Sequence, residues 1–174
     1  MTPPLKTLFD DAPIFLVGFM GAGKTTVGQA LARLLEYDFF DLDQFIEARV
    51  GKSVQEIFAV LGEEEFRRLE REAVGSCKHF KRAVIALGGG AYVSGENRTF
   101  LRTIGKTVWL DCPLEVCLGR ISGDKSRPLL GDEDEMHALL EKRRAAYAEA
   151  DYVVRTRELF PEQLAFEIAK MLQG

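Results

Sequence analysis

Short apolar runs alternate along the chain with longer segments in which apolar residues recur every three or four positions. The short runs are rich in β-branched and aromatic residues and predict strands, whereas the longer segments have the period of amphipathic helices. The five predicted strands are residues 14–19, 38–41, 83–87, 106–110 and 152–154. Strands that alternate with helices are typical of parallel crossover connections, and uninterrupted apolar strands suit a sheet covered on both faces. The pattern therefore predicts a three-layer α/β/α fold.

Two predicted helices have recognisable starts. Ser53 and Glu56 have the spacing of a capping box, and Pro113 suits the first position of a helix. The first helix has an apolar stripe that we predict to stop at Gly62, and this stripe consists of Val54, Ile57, Phe58 and Leu61. The second helix has a stripe that consists of Leu114, Cys117, Leu118 and Ile121. Residues 122–132, by contrast, are polar and aperiodic, which predicts a loop long enough to act as an active-site lid.

Composition narrows the class of protein. The chain has 174 residues, of which 47% are hydrophobic and 29% charged, so we expect one globular domain over residues 1–174. Its formal net charge of −4 disfavours binding to nucleic acid or to a membrane surface, because both depend on a positive field. No apolar run has the length of a membrane span or of a signal-peptide core. We therefore expect a soluble cytoplasmic protein. We also expect a monomer whose partners are small molecules.

The three cysteines, Cys77, Cys112 and Cys117, form no C-x-x-C pair, and only two histidines accompany them. This pattern predicts buried thiols in a reducing compartment rather than a metal site or disulfides.

Residues 18–25 read Gly-Phe-Met-Gly-Ala-Gly-Lys-Thr and fit the phosphate-loop pattern G-x-x-x-x-G-K-[ST]. They follow the first predicted strand and open a helix with an apolar stripe of Val27, Ala30, Leu31 and Leu34. The glycines let backbone N–H groups turn towards phosphate oxygens, and the helix N-terminus adds a favourable dipole. Lys24 suits the β and γ phosphates, and the Thr25 hydroxyl suits Mg²⁺. A glycine-rich turn without a ligand is the alternative, which the strand-to-helix context disfavours.

Two further groups follow predicted strands. Asp41 and Asp43 come at the end of the second strand, where side chains at i and i+2 point the same way. One carboxylate can support Mg²⁺ through water while the other accepts a hydrogen bond from an acceptor hydroxyl, although Asp43 fits a helix N-cap equally well. The triplet Gly88, Gly89 and Gly90 follows the third strand and permits close approach of backbone to a ligand. A merely flexible loop is the alternative interpretation.

Three arginines are candidate anion-binding groups. Arg143 continues the apolar stripe of Met136, Leu139 and Leu140 towards Tyr147, and a guanidinium there requires an anion unless its head reaches water along the surface. Arg67 has glutamates one turn away, which favours a solvated helical face over a binding role. Arg127 lies in the predicted lid before Pro128, where it suits the phosphates of a nucleotide.

Six signatures, taken in this order, resemble those of the shikimate kinase family. They are residues 18–26, Asp41-Leu-Asp43, Glu65-Phe-Arg-Arg68, Leu87-Gly-Gly-Gly90, Ser126-Arg-Pro-Leu-Leu130 and Arg143-x-x-x-Tyr147. The resemblance covers the chain from about Ile14 to its C-terminal helix. It implies a P-loop fold with a five-stranded parallel sheet and a lid over ATP. It also implies Mg²⁺-dependent phosphorylation of the shikimate 3-hydroxyl by ATP, in the biosynthesis of chorismate and aromatic amino acids.

The resemblance also implies roles for individual residues. Asp43, Gly88, Gly89 and Gly90 would hold the hydroxyls of shikimate, and Arg67 and Arg143 its carboxylate. Lys24 and Arg127 would stabilise the transferring phosphate, with Asp43 as the third catalytic residue. ATP would contact Gly21, Ala22, Gly23, Lys24, Thr25, Thr26, Arg120 and Arg127, and Mg²⁺ would be held by Thr25 directly and by Asp41 through water. The sequence has Thr25-Thr26 where many members have Ser-Thr, and residues 155–161 match the adenine-contacting segment poorly.

Two rival functions fit part of the pattern. Another small-molecule kinase of the same fold, acting on gluconate or a nucleoside monophosphate, would use similar residue types. A nucleotide-binding switch without turnover would keep Lys24 but has no need of Asp43, Arg67, Arg127 and Arg143, all of which are present.

Overall fold

Each predicted apolar run forms a strand of one parallel sheet. A computed structural model describes residues 11–123, 131–156 and 159–174. The strands are β1 (Ile14–Val17), β2 (Asp38–Asp41), β3 (Ala83–Ala86), β4 (Lys106–Asp111) and β5 (Tyr152–Arg155). All neighbouring strands pair in parallel, and the order of the strands in the sheet is β2-β3-β1-β4-β5. The expected α/β fold with a five-stranded parallel sheet is confirmed, and the strand ends agree within two residues.

Seven α-helices occur in the described part of the chain. They are α1 (Lys24–Leu35), α2 (Leu42–Val50), α3 (Val54–Ser76), α4 (Gly95–Ile104), α5 (Leu114–Gly123), α6 (Glu133–Tyr147) and α7 (Pro161–Gln173). Short 3₁₀ turns cover Cys77–His79 and Ala91–Val93. Every residue of β1 and of β3 is buried, whereas the edge strands β2 and β5 are partly exposed. This difference explains why the inner strands are uninterrupted apolar runs.

The strand order determines where a ligand can bind. The chain leaves β1 to form β2 and β3 on one side of it and returns to form β4 and β5 on the other. In open parallel sheets, such a reversal creates a crevice at the carboxyl ends of the strands. The phosphate loop follows β1, Asp41 ends β2, and the glycine triplet follows β3. All three features therefore lie at the edge where this crevice opens.

The helix that starts at the Ser53–Glu56 capping box is interrupted at Gly62, the residue at which we predict its end. The capping box is present, and Gly62 does break the helical geometry, with φ 83° and ψ 169°. The chain nevertheless resumes a helical path directly and continues to Ser76. Only Ile57 of the predicted stripe is fully buried, while Phe58 and Leu61 are exposed, so this part of α3 contacts the core over a narrower face than predicted.

The other predicted stripes agree with the structure. In α5 and α6 the buried residues include Leu114, Cys117, Ile121, Met136, Leu140 and Tyr147. Pro113 precedes α5 by one residue, and its carbonyl accepts the first hydrogen bonds of that helix. All three cysteines are free and buried, as predicted. Within the ranges described, no helix combines the length and the apolar character needed to cross a membrane.

Candidate active site

The phosphate loop joins the buried strand β1 to α1 through backbone that favours glycine. Gly21 and Gly23 have φ values of 77° and 95°, and a Cβ on Gly21 would lie 2.6 Å from the carbonyl oxygen of Cys117. Lys24 begins α1, and its Nζ donates to the carbonyl oxygens of Gly18 at 2.7 Å and Phe19 at 3.0 Å. The ammonium is therefore held across the loop whose N–H groups suit phosphate oxygens.

Asp41 connects the phosphate loop to α2. Its Oδ2 accepts a hydrogen bond from the Thr25 hydroxyl at 3.2 Å. Its Oδ1 accepts from the backbone N–H groups of Asp43 at 3.0 Å and Gln44 at 3.2 Å, so Asp41 is the N-cap of α2. The alternative in which Asp43 caps this helix is wrong, because the helix begins one residue before Asp43. The side chain of Asp43 is thereby available for another role.

Asp43 has an unusual environment for a carboxylate. Its Oδ1 is buried and accepts no hydrogen bond from any residue that the structure describes. Burial, followed by the negative charges of Asp41 and Glu70, raises the pKa of Asp43 to about 6, and the ammonium of Lys24 partly opposes this. A buried acceptor without a partner costs free energy, so its presence calls for a functional explanation.

This environment makes the stability of the fold depend on pH. The pKa of Asp43 is about 6 in the folded protein against a usual value of 3.8, so the folded form binds more protons between these values. Asp43 therefore destabilises the fold increasingly as the pH rises through this window, and the full penalty is present above it. We expect Asp43→Asn to raise the melting temperature at about pH 7.5 and to change it little at about pH 4. Thermal melts at both pH values test this, and an equal shift at the two values would contradict it.

The glycine triplet contacts three candidate side chains, one from each glycine. A Cβ built on Gly88 would lie 2.6 Å from Oδ1 of Asp43. On Gly89 it would lie 2.8 Å from Nη1 of Arg143, and on Gly90 it would lie 2.5 Å from Nη1 of Arg67. These are closer approaches than a real methyl group tolerates, so the backbone itself packs against all three polar groups. The interpretation of the triplet as a merely flexible loop is wrong.

Arg67 forms the expected surface pair with Glu63 at 3.6 Å, but it also faces the site, which the sequence pattern did not favour. Its Nη1 bonds Oε1 of Glu70 at 2.8 Å, and the side chain of Glu70 is only 3% exposed. The neighbouring Arg68 is the solvated one, since it is 46% exposed and pairs with Glu65 and Glu72. Sequence reasoning missed Glu70, although its position one turn after the buried Phe66 is the same signal that singled out Arg143. An arginine held by a buried carboxylate has a fixed orientation.

Arg143 and Arg67 lie on a shared cavity between α3 and α6. The cavity has a volume of about 310 Å³, and its charged lining consists of Glu63, Arg67, Glu70, Arg71, Lys142 and Arg143. Four cations thus face two carboxylates, which favours an anionic ligand. Among the described residues, no carboxylate forms an ion pair with Arg143, whose guanidinium lies 6.0 Å from the ring centroid of Phe19.

Arg120, Ala22 and Thr26 lie on the side of the site where we expect the nucleotide. Arg120 of α5 donates from Nη1 to the carbonyl oxygen of Gly21 at 3.0 Å, so it lies directly against the phosphate loop. Thr26 is exposed in the first turn of α1, and Ala22 is buried. Arg127 and most of the predicted lid, 122–132, lie outside the described residues, as do 157–158 of the adenine-contacting segment.

Fold and site together define the class of this protein. A phosphate loop at the reversal point of a parallel sheet, beside a cationic cavity and an unpaired carboxylate, is the arrangement of a P-loop kinase for small molecules. The family model for shikimate kinase matches residues 20–173. The chain belongs to the shikimate kinase family.

Individual relatives support this assignment. Shikimate kinase of Moorella thermoacetica is 46% identical over 163 residues, which cover 92% of this chain and 94% of that protein. The solved structure of shikimate kinase from Acinetobacter baumannii in complex with shikimate has a TM-score of 0.90 at 39% identity and covers 97% of both chains. A gluconokinase from Sinorhizobium meliloti covers 94% of both chains with a TM-score of 0.61, but at 15% identity it shares the fold alone.

Proposed function

We propose that this protein transfers the γ-phosphoryl group of ATP to the 3-hydroxyl of shikimate, giving shikimate 3-phosphate and ADP. The observation that carries the proposal is the convergence of Asp43, Arg143 and Arg67 on three consecutive glycines next to the phosphate loop. A carboxylated polyol needs cations for its carboxylate and a carboxylate for its hydroxyls, and this arrangement offers both. The relatives that are similar to this chain over most of its length are shikimate kinases, which supports the same acceptor.

In this function Asp43 orients the attacking hydroxyl. Its Oδ1 accepts the hydrogen bond that the described residues do not provide. A pKa of about 6 suits a group that takes up the hydroxyl proton at Oδ1 as the new P–O bond forms. Phosphoryl transfer needs little covalent assistance, so holding the hydroxyl in line with the phosphorus supplies much of the rate.

Lys24 and the arginines neutralise the negative charges of the phosphates and of the shikimate carboxylate. Lys24 moves from the carbonyl oxygens of Gly18 and Phe19 to the phosphate oxygens that accumulate charge during transfer. Arg127 is the second cation that we propose for these oxygens. Arg67 and Arg143 bind the carboxylate of shikimate, with Glu70 fixing the first of them. The roles of Gly21, Ala22, Gly23, Thr25, Thr26 and Arg120 are contacts to ATP.

The residues at the phosphate loop also fit Mg²⁺. The Thr25 hydroxyl and the Asp41 carboxylate are hard oxygen donors only 3.2 Å apart, and Mg²⁺ in kinases uses one or two such groups together with phosphates and water. The absence of a cluster of three metal-binding side chains among the described residues is compatible with that mode. Thr25 would bind the ion directly and Asp41 through water. When bound, Mg²⁺ neutralises charge on the phosphates.

The proposal extends to the organisation of the chain. We propose a single domain over residues 1–174 that acts as a cytoplasmic monomer with shikimate and ATP as its partners. One sheet and one connected core over the described residues support the single domain.

An acceptor panel tests the function. The purified protein is incubated with Mg²⁺ and ATP plus shikimate, gluconate or each nucleoside monophosphate, and release of ADP is measured. We expect ADP with shikimate alone. Faster turnover of gluconate or a nucleoside monophosphate would support the rival kinases, and binding of ATP without turnover of any acceptor would support the nucleotide switch.

Arg143 offers a test of how the acceptor is bound. Arg143→Met keeps an apolar stem on α6 but removes the guanidinium, and we expect it to weaken acceptor binding by about 2–4 kcal/mol. Arg143→Lys should also weaken binding, because an ammonium cannot reproduce a planar two-point contact with a carboxylate. The melting temperature should hold or rise, since the free protein loses a partly buried cation that forms no ion pair with the described residues.

Calorimetric titration with shikimate and thermal melts measure both effects. The matched control is Arg144→Met on the same helix, because Arg144 pairs with Asp111 and Glu141 and does not line the cavity. A destabilised Arg143→Met protein with unchanged shikimate binding would show that Arg143 is structural.

A further inference from the structure

Tyr147 connects the end of α6 to the glycine triplet. It is the last residue of α6, one helical turn after Arg143, and its side chain is fully buried. Its hydroxyl donates a hydrogen bond to the carbonyl oxygen of Gly89 at 2.6 Å. Its ring packs against Trp109 of β4, with 5.9 Å between the ring centroids. Burial raises the pKa of this hydroxyl, so it stays protonated and donates at every physiological pH.

Gly89 lies between the proposed acceptor-binding groups and the phosphate loop. A Cβ built on it would be 2.8 Å from Nη1 of Arg143, 3.6 Å from the hydroxyl oxygen of Tyr147 and 3.8 Å from the carbonyl oxygen of Gly18. That carbonyl of Gly18 is one of the two that accept hydrogen bonds from Nζ of Lys24. The position of the Gly89 peptide therefore fixes how far the acceptor groups stand from the phosphate loop.

Three consecutive glycines do not fix such a position by themselves. Glycine restricts its backbone less than any other residue, and it has no side chain that could anchor the triplet in the core. The carbonyl oxygens of Gly88 and Gly90 accept hydrogen bonds from the N–H groups of Ala91 and Val93. The hydroxyl of Tyr147 does the same for the middle glycine and ties its carbonyl to an aromatic pair anchored on β4.

We infer that Tyr147 is a positioning residue for phosphoryl transfer, which holds the Gly89 peptide through its hydroxyl and thereby sets the spacing between the acceptor and the phosphate loop. This inference rests on the proposed function, because it concerns the geometry of the same reaction. It also accounts for the spacing of Arg143 and Tyr147, since residues four apart share one face of a helix and can reach the same glycine. Displacements of about 1 Å in a reacting pair are enough to reduce the rate a hundredfold.

Tyr147→Phe tests the inference, because it removes the hydroxyl and keeps the aromatic packing. We expect the KM for the acceptor to rise and kcat to fall, each by about tenfold, while the dissociation constant for ATP stays unchanged. The matched control is Tyr92→Phe. Tyr92 is equally buried, and its hydroxyl donates to Thr107 Oγ1 at 3.3 Å, so the control also loses one buried hydrogen bond. The control should lower the melting temperature to a similar extent and leave kcat and KM as in the wild type.

A second pair of variants tests the route through Gly89. Gly89→Ala places a methyl group between Arg143 and the Tyr147 hydroxyl, and it should raise the acceptor KM by itself. If Tyr147 acts through this peptide, the double variant Gly89→Ala/Tyr147→Phe lowers kcat/KM for the acceptor by a smaller factor than the product of the two single-variant factors. Fully multiplicative effects would place the action of Tyr147 elsewhere, and wild-type kcat and KM in a folded Tyr147→Phe protein would overturn the inference.

The proposed function and this inference fail in different ways. All variants are assayed with the acceptor that the wild-type protein phosphorylates best, so a preferred acceptor other than shikimate overturns the function and still tests Tyr147. If no acceptor is phosphorylated, both tyrosine variants are titrated calorimetrically with shikimate to test the inference. Tyr147→Phe should weaken shikimate binding, and the control Tyr92→Phe should not.

Discussion

Replacing Lys24 with alanine is expected to lower kcat by roughly a hundredfold or more, the size of loss seen when a main stabiliser of transition-state charge is removed. Its ammonium bonds the carbonyl oxygens of Gly18 and Phe19 and is the cation that the phosphate loop itself contributes. Affinity for ATP should fall less than kcat, because loop N–H groups still contact the phosphates. Release of ADP at saturating shikimate and ATP measures the effect.

The fold should survive this change, since Lys24 is directed at the loop and contributes little to the core. Lys106→Ala is the matched control, because Lys106 is an exposed lysine that begins β4, at the opposite end of the sheet. A folded Lys24→Ala protein with near wild-type turnover would refute the phosphate-loop assignment.

Replacing Asp43 with asparagine is expected to lower turnover of shikimate by roughly a hundredfold, comparable to the contribution of a positioned general base. The amide keeps the shape of the side chain but cannot take the proton of the attacking hydroxyl. The affinity for ATP should change little, because Asp41 and not Asp43 bonds Thr25 at the phosphate loop. Steady-state kinetics with shikimate and a separate ATP titration measure the two effects.

The matched control for this prediction is Asp38→Asn, which changes an exposed aspartate at the other end of β2 and should leave both measurements unchanged. Loss of ATP binding in Asp43→Asn with intact acceptor binding would mean that Asp43 belongs to the metal site. The proposed roles of Asp41 and Asp43 would then be exchanged.

The sequence predicts most of the fold because the decisive signals are local. The phosphate loop, the capping box at Ser53 and the apolar stripe of α6 each lie within a few consecutive turns, and each is confirmed. Gly62 shows the limit of such signals. Its conformation breaks the helix as predicted, but continuation to Ser76 depends on the packing of Phe66, Ala73 and Val74, which the local pattern before Gly62 does not contain.

Local patterns single out several residues that the structure brings together, such as Asp43 and Arg143, but they do not give the contacts between them. Arg67 was expected on a solvated face because nearby glutamates suggested surface pairing, whereas its main partner is the buried Glu70. The hydrogen bond from the Tyr147 hydroxyl to the Gly89 carbonyl joins residues 58 positions apart, and a local pattern of apolar residues does not predict such a contact. The role of Arg127 stays a prediction.

The one-to-one contacts of the glycine triplet have a consequence for inhibitor design. Any side chain added at Gly88, Gly89 or Gly90 would collide with Asp43, Arg143 or Arg67 respectively. A compound that rests on the backbone of this triplet would therefore contact a surface that the protein cannot reshape without displacing its own acceptor groups. Resistance by point substitution at these three positions should be correspondingly rare, and resistant variants selected against such a compound should carry their changes elsewhere.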